Sequence, residues 1–258
     1  MIPKIIHYIW FGGNPLPNLA ENCIASWKKH CPDFEIKKWD ESTFSIDCAP
    51  LYVQEAYNSK KWAFVSDYVR LFALYNYGGI YMDTDVEVIS SLDPFLKEHC
   101  FSGFETPKTI PTGIIGSEPF FPLILYLLEQ YNEKHFIKED GSFDLTTKVK
   151  LITNELDKHG FVPNNSYQIV DGMALYPNDF FCPKSYETGI ISLTVNSVTI
   201  HHFNGSWHSE EDKEKHEKRL KIYEKYGVEK GKRVLKRRTM IMRVERWVKG
   251  LFSRLLGK

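Results

Sequence analysis

The chain has 258 residues, of which 43% are hydrophobic and 14% aromatic, a composition that supports a large buried core. Its 33 basic and 33 acidic residues balance, so no overall charge directs it toward nucleic acid, and we expect no nucleic-acid partner. Five cysteines without a CxxC or zinc spacing predict reduced thiols in a cytosolic protein. The sequence contains neither a signal-peptide pattern nor a run of about eighteen apolar residues, which predicts a cytosolic or peripheral protein.

The N-terminal part of the chain alternates predicted strands with a helix. We expect a strand at Lys4–Phe11, a helix over Asn18–Lys29 capped by Asn18, a strand at Phe34–Trp39 and a polar connection over Asp40–Pro50. Gly12-Gly13 breaks the first strand, and no GxGxxG or P-loop motif follows it. The sequence therefore argues against a dinucleotide site and against a P-loop.

A helix with two charged residues on its apolar face is predicted from Trp62 to a glycine pair. Its apolar residues recur at helical spacing, at Phe64, Val65, Tyr68, Leu71, Phe72 and Tyr75. Asp67 and Arg70 lie among them at i and i+3, so they share one face. On an exposed helix such a pair is worth a few tenths of a kcal/mol, but within an apolar stripe it would be partly buried and would need partners. Gly78-Gly79 supplies the positive φ that ends the helix.

Two aspartates follow a short predicted strand, Ile80–Met82. Alternate residues of an extended segment point to one side, so we expect the carboxylates of Asp83 and Asp85 to project together. Without its context, Asp83-Thr84-Asp85 would be a solvated turn. The buried strand and the glycine pair before it favour a site for Mg²⁺ or Mn²⁺ that also holds phosphate oxygens.

The remaining elements up to about residue 208 continue the alternation of strands and helices. We expect strands near Cys100–Phe104, Gln168–Met173 and Val195–His202, helices over Phe120–Tyr131 and Leu145–His159, and a loop at Asp179–Lys184. Gly113 to Ser117 is a glycine-punctuated apolar segment that we expect to pass close to a ligand. This alternation predicts an α/β fold with crossover connections.

The C-terminal residues, 209–258, form a predicted helical tail. Glu210–Tyr226 has charges of both signs, whereas after Lys230 only Glu245 opposes a run of lysines and arginines. The apolar residues there fall at helical spacing on one side: Met240, Ile241, Val244, Trp247, Val248, Leu251, Phe252 and Leu255. Such a basic amphipathic helix is typical of a segment lying on an anionic membrane surface. Packing against the protein's own core or a second subunit is the alternative.

Three segments, in order, resemble glycosyltransferase family 32, the DXD-containing type found in capsular polysaccharide synthesis. They are IPKIIHYIWFGG (Ile2–Gly13), SDYVRLFALYNYGGIYMDTDV (Ser66–Val86) and HHFNGSW (His201–Trp207). They also resemble the glucosylating domains of large clostridial toxins. The resemblance implies an α/β fold of the GT-A type, a Rossmann-like nucleotide-diphospho-sugar transferase domain over residues 1–208, followed by the basic amphipathic tail.

The resemblance also implies a role for each matching residue. Asp85 would bind the metal directly, while Asp83 would contact ribose or the donor sugar and reach the metal through water. Asp67 and Arg70 would hold donor-sugar hydroxyls, with Arg70 also offsetting phosphate charge. The nucleotide-sugar would further contact Trp10, Tyr81, Ser206 and Trp207, although without the resemblance Trp10 is better explained as a core aromatic. Either His201 or His202 would complete the metal site, and the sequence does not choose between them. Relatives often carry an asparagine where this chain has Pro111-Thr112-Gly113, so one sugar or acceptor contact is in doubt.

The function expected from the resemblance is transfer of a hexosyl unit with retention at the anomeric carbon. The expected cofactor is Mn²⁺ or Mg²⁺, the donor a nucleotide-sugar with UDP favoured, and the acceptor a glycan or lipid-linked glycan. The expected location is the cytoplasmic, inner face of the membrane, reached through the tail. The alternatives are a metal-dependent phosphohydrolase acting on nucleotide-sugars and a non-catalytic glycan-binding protein on the same fold.

Overall fold

A computed structural model describes residues 1–110, 113–146, 148–205 and 210–255 of the chain. The chain divides into two compact units. The first consists of Met1–Lys184 and Ser192–Trp207, and the second of Ser185–Ile191 and His208–Lys258.

The first unit is built of strands and helices in alternation. Its described strands are β1 (Ile5–Ile9), β2 (Glu35–Trp39), β3 (Gly79–Met82), β4 (Val86–Val88), β5 (Cys100–Gly103), β6 (Ile114–Ser117), β7 (Gln168–Val170), β8 (Met173–Tyr176) and β9 (Thr199–His201). Its described helices are α1 (Asn18–His30), α2 (Leu51–Asn58), α3 (Trp62–Tyr77), α4 (Pro122–Glu129), α5 (Lys148–Asp157) and α6 (Asn178–Phe181).

Seven of these strands form one mixed sheet in the order β2-β1-β3-β6-β5-β8-β7. The first three strands are parallel, and β6 is antiparallel to both of its neighbours, β3 and β5. A separate antiparallel pair, β4 and β9, forms a second small sheet. A parallel, Rossmann-like half that continues into mixed strands confirms the predicted α/β fold.

Helices pack on both faces of the large sheet, so its central strands are buried on both sides. In β3, Ile80 and Met82 pack into the core that holds Trp27 of α1, while Tyr81 packs into the core of α2, α3 and α4. Period-2 alternation thus divides the apolar residues between two layers. The predicted buried strand at Ile80–Met82 is confirmed, with every residue of β3 buried.

Several sequence predictions differ from the structure near turns and short elements. Asn18 is the first residue of α1 rather than its cap, because Pro17 holds the extended conformation that precedes the helix. The single strand predicted at Gln168–Met173 is the hairpin of β7 and β8, since Asp171 and Gly172 have φ angles of 47° and 76° and form its turn. The predicted loop at Asp179–Lys184 begins within the four-residue helix α6, which is too short for a periodicity signal.

The second unit contains two helices, α7 (Glu210–Tyr226) and α8 (Val228–Leu255). Gly227, with φ 71°, separates them, and a Cβ at Gly231 would lie 2.7 Å from the ring of Tyr223, so the two helices pack closely where they meet. The predicted helix Glu210–Tyr226 is confirmed. Among the described residues, no helix combines the length and the apolar character needed to cross a bilayer.

The side chains on the predicted apolar face of α8 are described only in part. Met240 and Trp247 are each 68% exposed. The remaining apolar side chains of that face, those of Ile241, Val244, Val248, Leu251, Phe252 and Leu255, lie outside the described residues.

Candidate active site

The fold places a topological switch point at the carboxyl ends of β1 and β3. The connection from β1 to β2 runs through α1, whereas β3 lies on the other side of β1 and is reached through α2 and α3. Because α1 and α3 pack into different cores on opposite faces of the sheet, the chain changes direction between β1 and β3. Ligands of open α/β sheets bind at such switch points, outside the carboxyl ends of the strands.

The glycine pair after α3 sets α3 against β3. Gly78 has φ 63° and Gly79 has φ 98°, both in the left-handed region that glycine adopts without strain. A Cβ at Gly79 would lie 2.6 Å from the carbonyl oxygen of Ile5, so only glycine lets β3 approach β1 this closely. The predicted helix stop at Gly78-Gly79 is therefore confirmed, and it brings the charged face of α3 beside the end of β3.

A buried arginine links helix α3 to the first aspartate of the DXD motif. Arg70 is 5% exposed, and its Nη2 lies 3.0 Å from Asp67 Oδ1. Its Nη1 lies 3.5 Å from Asp83 Oδ1, and its Nε donates a hydrogen bond of 3.2 Å to the carbonyl of Ser66. One guanidinium thus spans two carboxylates, as a planar fork with five donors allows. The structure brings the predicted residues Asp67, Arg70 and Asp83 together.

Tyr81 lies beneath this group rather than on its open side. It is 2% exposed, its hydroxyl donates a hydrogen bond to Asp83 Oδ1, and the guanidinium of Arg70 sits 4.4 Å from its ring centroid. Burial raises the pKa of the Tyr81 hydroxyl well above its usual range, so this group stays a hydrogen-bond donor. Tyr81 is therefore placed to hold Asp83 and Arg70, and its predicted contact with the nucleotide-sugar stays a prediction.

Asp83, Thr84 and Asp85 form a turn between β3 and β4, not the extended segment that we predicted. The N–H of Val86 donates to the carbonyl of Asp83 at 3.0 Å, which closes the turn. The argument from strand alternation was therefore wrong, although the two carboxylates still converge. This turn brings the two carboxylates together.

His201 joins the two aspartates because β9 pairs with β4. The register sets Val86 opposite His201, and His201 Nε2 lies 3.4 Å from Asp85 Oδ1. The N–H of Asn204 donates to Asp85 Oδ2 at 2.7 Å. Burial by itself would lower the pKa of His201, but the charge and hydrogen bond of Asp85 raise it well above its usual range. Conversely, burial would raise the pKa of Asp85, but the charge of His201 leads the effects that lower it.

The structure separates the roles of the two adjacent histidines. His202 Nε2 lies 2.8 Å from Glu87 Oε2, and the carbonyl of His202 accepts a 2.8 Å hydrogen bond from Lys184 Nζ. His201 instead faces Asp83 and Asp85. Since neighbouring residues at a strand end point to opposite sides, only His201 reaches the carboxylates.

Asp83, Asp85 and His201 fit a divalent metal. One ligand atom from each lies within 4.8 Å of the others, a spacing that a single ion could bridge. His201 Nδ1 is buried and makes no hydrogen bond of normal geometry to the described residues; the thiol of Cys182, a weakly polar group, is the uncharged side chain that interacts with this imidazole. A Cβ at Gly113 would lie 3.0 Å from that Nδ1 and 3.5 Å from Asp83 Oδ2, so glycine keeps the space between them open. Two carboxylates and one imidazole suit a divalent cation that also binds phosphate.

Trp10 lies directly after the carboxyl end of β1, and its contact with a nucleotide stays a prediction. It is half-buried, and its Nε1 donates to the carbonyl of Asn14 at 2.6 Å. The N–H of Gly12 donates to Glu41 Oε1 at 2.7 Å, and a Cβ at Gly12 would lie 2.7 Å from Trp62. These contacts hold the loop after β1 against the start of α3. The predicted residues Ser206 and Trp207, and the Pro111-Thr112 pair, lie outside the described residues.

Glu105 is a carboxylate near this cluster that the sequence analysis did not identify. It is partly buried and lies two residues beyond the end of β5. Burial raises the pKa of its carboxyl; the charge of His201 acts against this shift, and that of Asp83 adds to it. The sequence did contain a signal for Glu105, because this acidic residue directly follows the predicted strand Cys100–Phe104. The same pattern, an acidic residue after a predicted strand, had identified Asp83.

Comparison with known proteins relates parts of this chain to glycosyltransferases. Residues 17–102 match the family described as "Glycosyltransferase sugar-binding region containing DXD motif". Inositol phosphoceramide mannosyltransferase 1 of Schizosaccharomyces pombe is 28% identical over 208 residues, which are 73% of this chain and 61% of the relative. The uncharacterized glycosyltransferase L373 of Acanthamoeba polyphaga mimivirus is 28% identical over 203 residues, or 71% of this chain and 78% of the relative.

Among solved structures, the PaToxG glycosyltransferase is similar, with a TM-score of 0.44, 20% identity, and coverage of 61% of this chain and 69% of that one. The chain thus spans about three fifths of the length of the fission-yeast mannosyltransferase. The family match and the named relatives support a transferase with a DXD motif.

Proposed function

We propose that the chain is a metal-dependent, retaining hexosyltransferase that moves a sugar from a nucleotide-sugar to a glycan or lipid-linked glycan. The observation that carries the proposal is the meeting of Asp83, Asp85 and His201 with the Asp67–Arg70 pair at one sheet edge. That edge is the switch point between β1 and β3, where a sheet of this kind binds its ligands. A cation and an arginine suit the negative charge of a diphosphate, and carboxylates can accept hydrogen bonds from the hydroxyls of an attached sugar.

The proposed metal is Mn²⁺, with Mg²⁺ as the second choice. Asp85 and His201 would be direct ligands, and Asp83 would bind directly or through water. An imidazole in an otherwise oxygen set supports Mn²⁺ over Mg²⁺, which prefers oxygen ligands throughout. When bound, such a cation polarises the diphosphate and neutralises the charge that develops as it departs.

The chain's own residues would position the donor. Arg70 carries a fixed positive charge, and with Asp67 and Asp83 already on its fork it can orient a sugar hydroxyl and offset phosphate charge. Asp67 and Asp83 would accept hydrogen bonds from sugar or ribose hydroxyls. The base would lie by Trp10, with uracil favoured, and Ser206 and Trp207 remain predicted contacts of the diphosphate.

A front-face displacement is the proposed retaining route, because the sequence analysis assigned no residue the role of a covalent nucleophile. In this route the acceptor oxygen bonds to the anomeric carbon on the side from which the diphosphate leaves. Positioning of the donor and the acceptor within one site then supplies much of the rate enhancement.

The proposed acceptor is a surface or capsular glycan, free or lipid-linked. The name of the fission-yeast relative describes transfer of mannose to inositol phosphoceramide, a lipid, and this supports a lipid-linked acceptor here. Helix α8 supports a location at the inner face of the membrane, because after Lys230 basic residues greatly outnumber acidic ones. Anionic lipid would attract this helix as a peripheral anchor.

The test is product analysis with a panel of UDP- and GDP-linked hexoses in Mn²⁺. We expect sugar transfer or slow donor hydrolysis that chelation abolishes. Asp85→Asn removes a ligand charge with almost no change in shape, so it should fold normally and lose turnover. Asp157→Asn, at an exposed position of α5, is the matched control. Near-normal turnover by Asp85→Asn would refute the metal assignment, and phosphate release without sugar transfer would favour a phosphohydrolase.

A further inference from the structure

Glu105 lies beyond the metal cluster on the side away from the nucleotide half of the sheet. Strands β3 and β5 are both antiparallel to β6, so their carboxyl ends lie at the same edge. Along that edge the order is Trp10 after β1, Asp83 after β3 and Glu105 after β5. Two strand spacings, about 10 Å, separate β3 from β5. A donor with its base at β1 and its diphosphate at the metal would therefore direct its sugar, and the acceptor, toward β5.

Glu105 lies at the same sheet edge as the cluster without being one of its ligands. Its charge interacts with those of His201 and Asp83, and it contributes to the field at the thiol of Cys182. Among the described residues, three have ligand atoms close enough together to share one ion: Asp83, Asp85 and His201. Glu105 is thus near the metal site but belongs to the space beside it.

The backbone at Glu105 is held in place while its carboxylate is left available. The N–H of Glu105 donates to the carbonyl of Thr109 at 2.9 Å, and Thr106 bridges to Thr109 in the same loop. Within the part of the chain that the structure describes, no side chain or backbone group donates a hydrogen bond to the Glu105 carboxylate. A partly buried carboxylate in that state destabilises the fold. Residues that break such a rule are commonly found at functional sites.

We propose that Glu105 accepts the hydrogen bond of the attacking acceptor hydroxyl and takes up its proton during transfer. The inference rests on the proposed function and adds an acceptor-side residue to it. In the step, the acceptor oxygen forms a bond to the anomeric carbon while its O–H bond breaks. The bond from the anomeric carbon to the diphosphate oxygen breaks, and the electron pair leaves with the diphosphate. The proton goes to a Glu105 carboxylate oxygen, so charge and atoms balance.

The experiment compares wild type with Glu105→Gln, which keeps the size of the side chain and removes its basicity. Glu129→Gln, at an exposed position of α4, is the matched control. Three quantities are measured: turnover of the best donor in the panel, calorimetric binding of the matching nucleoside diphosphate in Mn²⁺, and Tm. Donor hydrolysis serves where no sugar acceptor is known, because water then supplies the attacking hydroxyl.

We expect Glu105→Gln to lose about 100-fold or more in turnover, the effect of removing a general base. Its diphosphate affinity should stay within about twofold of wild type, and its Tm should not fall, because an unpaired carboxylate is removed. Turnover within about threefold of wild type would overturn the proposal. A loss of metal-dependent diphosphate binding like that of Asp85→Asn would also overturn it, by assigning Glu105 to the donor site. If wild type turns over no donor at all, it is the proposed function that fails.

Discussion

Replacing Arg70 by lysine tests whether the guanidinium fork, and not only its charge, is needed for transfer. The guanidinium contacts Asp67 at 3.0 Å, Asp83 at 3.5 Å and the Ser66 carbonyl at 3.2 Å, and it stacks on Tyr81. A lysine ammonium is a point charge on a flexible stem and cannot hold all of these groups in the same plane. Arg70→Lys therefore keeps the charge and loses the geometry.

The magnitude follows from the contacts that lysine cannot replace. Losing one charge-assisted hydrogen bond in a buried site removes about 1.5–3 kcal/mol. If about 2 kcal/mol of this acts in the transition state, kcat/KM falls about 30-fold. The stability of the fold should also fall, because Arg70 is 5% exposed and its partners are partly buried.

The assay is steady-state turnover of the best donor in Mn²⁺, at a temperature well below the Tm of the variant. Arg219→Lys, on helix α7 of the second unit, is the matched control and should keep full turnover. A kcat/KM for Arg70→Lys within about threefold of wild type, in a folded protein, would refute the reasoning. Arg70 would then be only the structural partner of Asp67.

Three further predictions test the space that Gly113 leaves at the metal site, the stability of the fold at acid pH, and membrane binding by the C-terminal tail. Gly113→Ala should weaken Mn²⁺ binding measured by calorimetry, because its Cβ would lie 3.0 Å from the His201 ring; unchanged affinity would exclude this geometry. The fully buried His7 has its pKa lowered to about 4 from 6.5, chiefly by burial, so the unfolded chain takes up a proton first as pH falls. In urea unfolding, the free energy of unfolding of the wild type should therefore fall by about 3 kcal/mol between pH 7 and pH 4 through His7, and His7→Gln should lack this fall. An equal pH dependence of the free energy of unfolding in the two proteins would contradict the prediction. Truncation after Gly227 should keep turnover yet abolish salt-sensitive sedimentation with anionic vesicles, whereas equal pelleting of both forms would exclude the anchor.

Local sequence determined the helix, its stop and the placing of its charged pair. The i, i+3 spacing alone puts Asp67 and Arg70 on one face of α3, and the glycine pair ends the helix whatever surrounds it. The buried strand β3 was equally evident from three consecutive apolar residues after Gly79. These features depend on interactions within a few residues, so one sequence suffices to predict them.

Short elements were predicted less well because their signals are weak or ambiguous. The hairpin of β7 and β8 was missed although Asp171-Gly172 is a recognised turn pair. The turn at Asp83-Thr84-Asp85 was predicted as an extended segment. The apolar residues of β3 do not indicate at which residue the strand stops pairing with its neighbours. The turn signal of the hairpin thus lay in the sequence, whereas the end of β3 at Asp83 depends on where strand pairing stops.

Only the tertiary structure decided which residues complete the site. His201 reaches Asp85 because β9 pairs with β4 across more than a hundred residues, and that register points His202 toward Glu87 instead. Glu105 comes near the cluster because β6 reverses direction between β3 and β5, which returns both carboxyl ends to one edge. Strand order and register depend on packing between distant segments, and no spacing within the sequence records that packing.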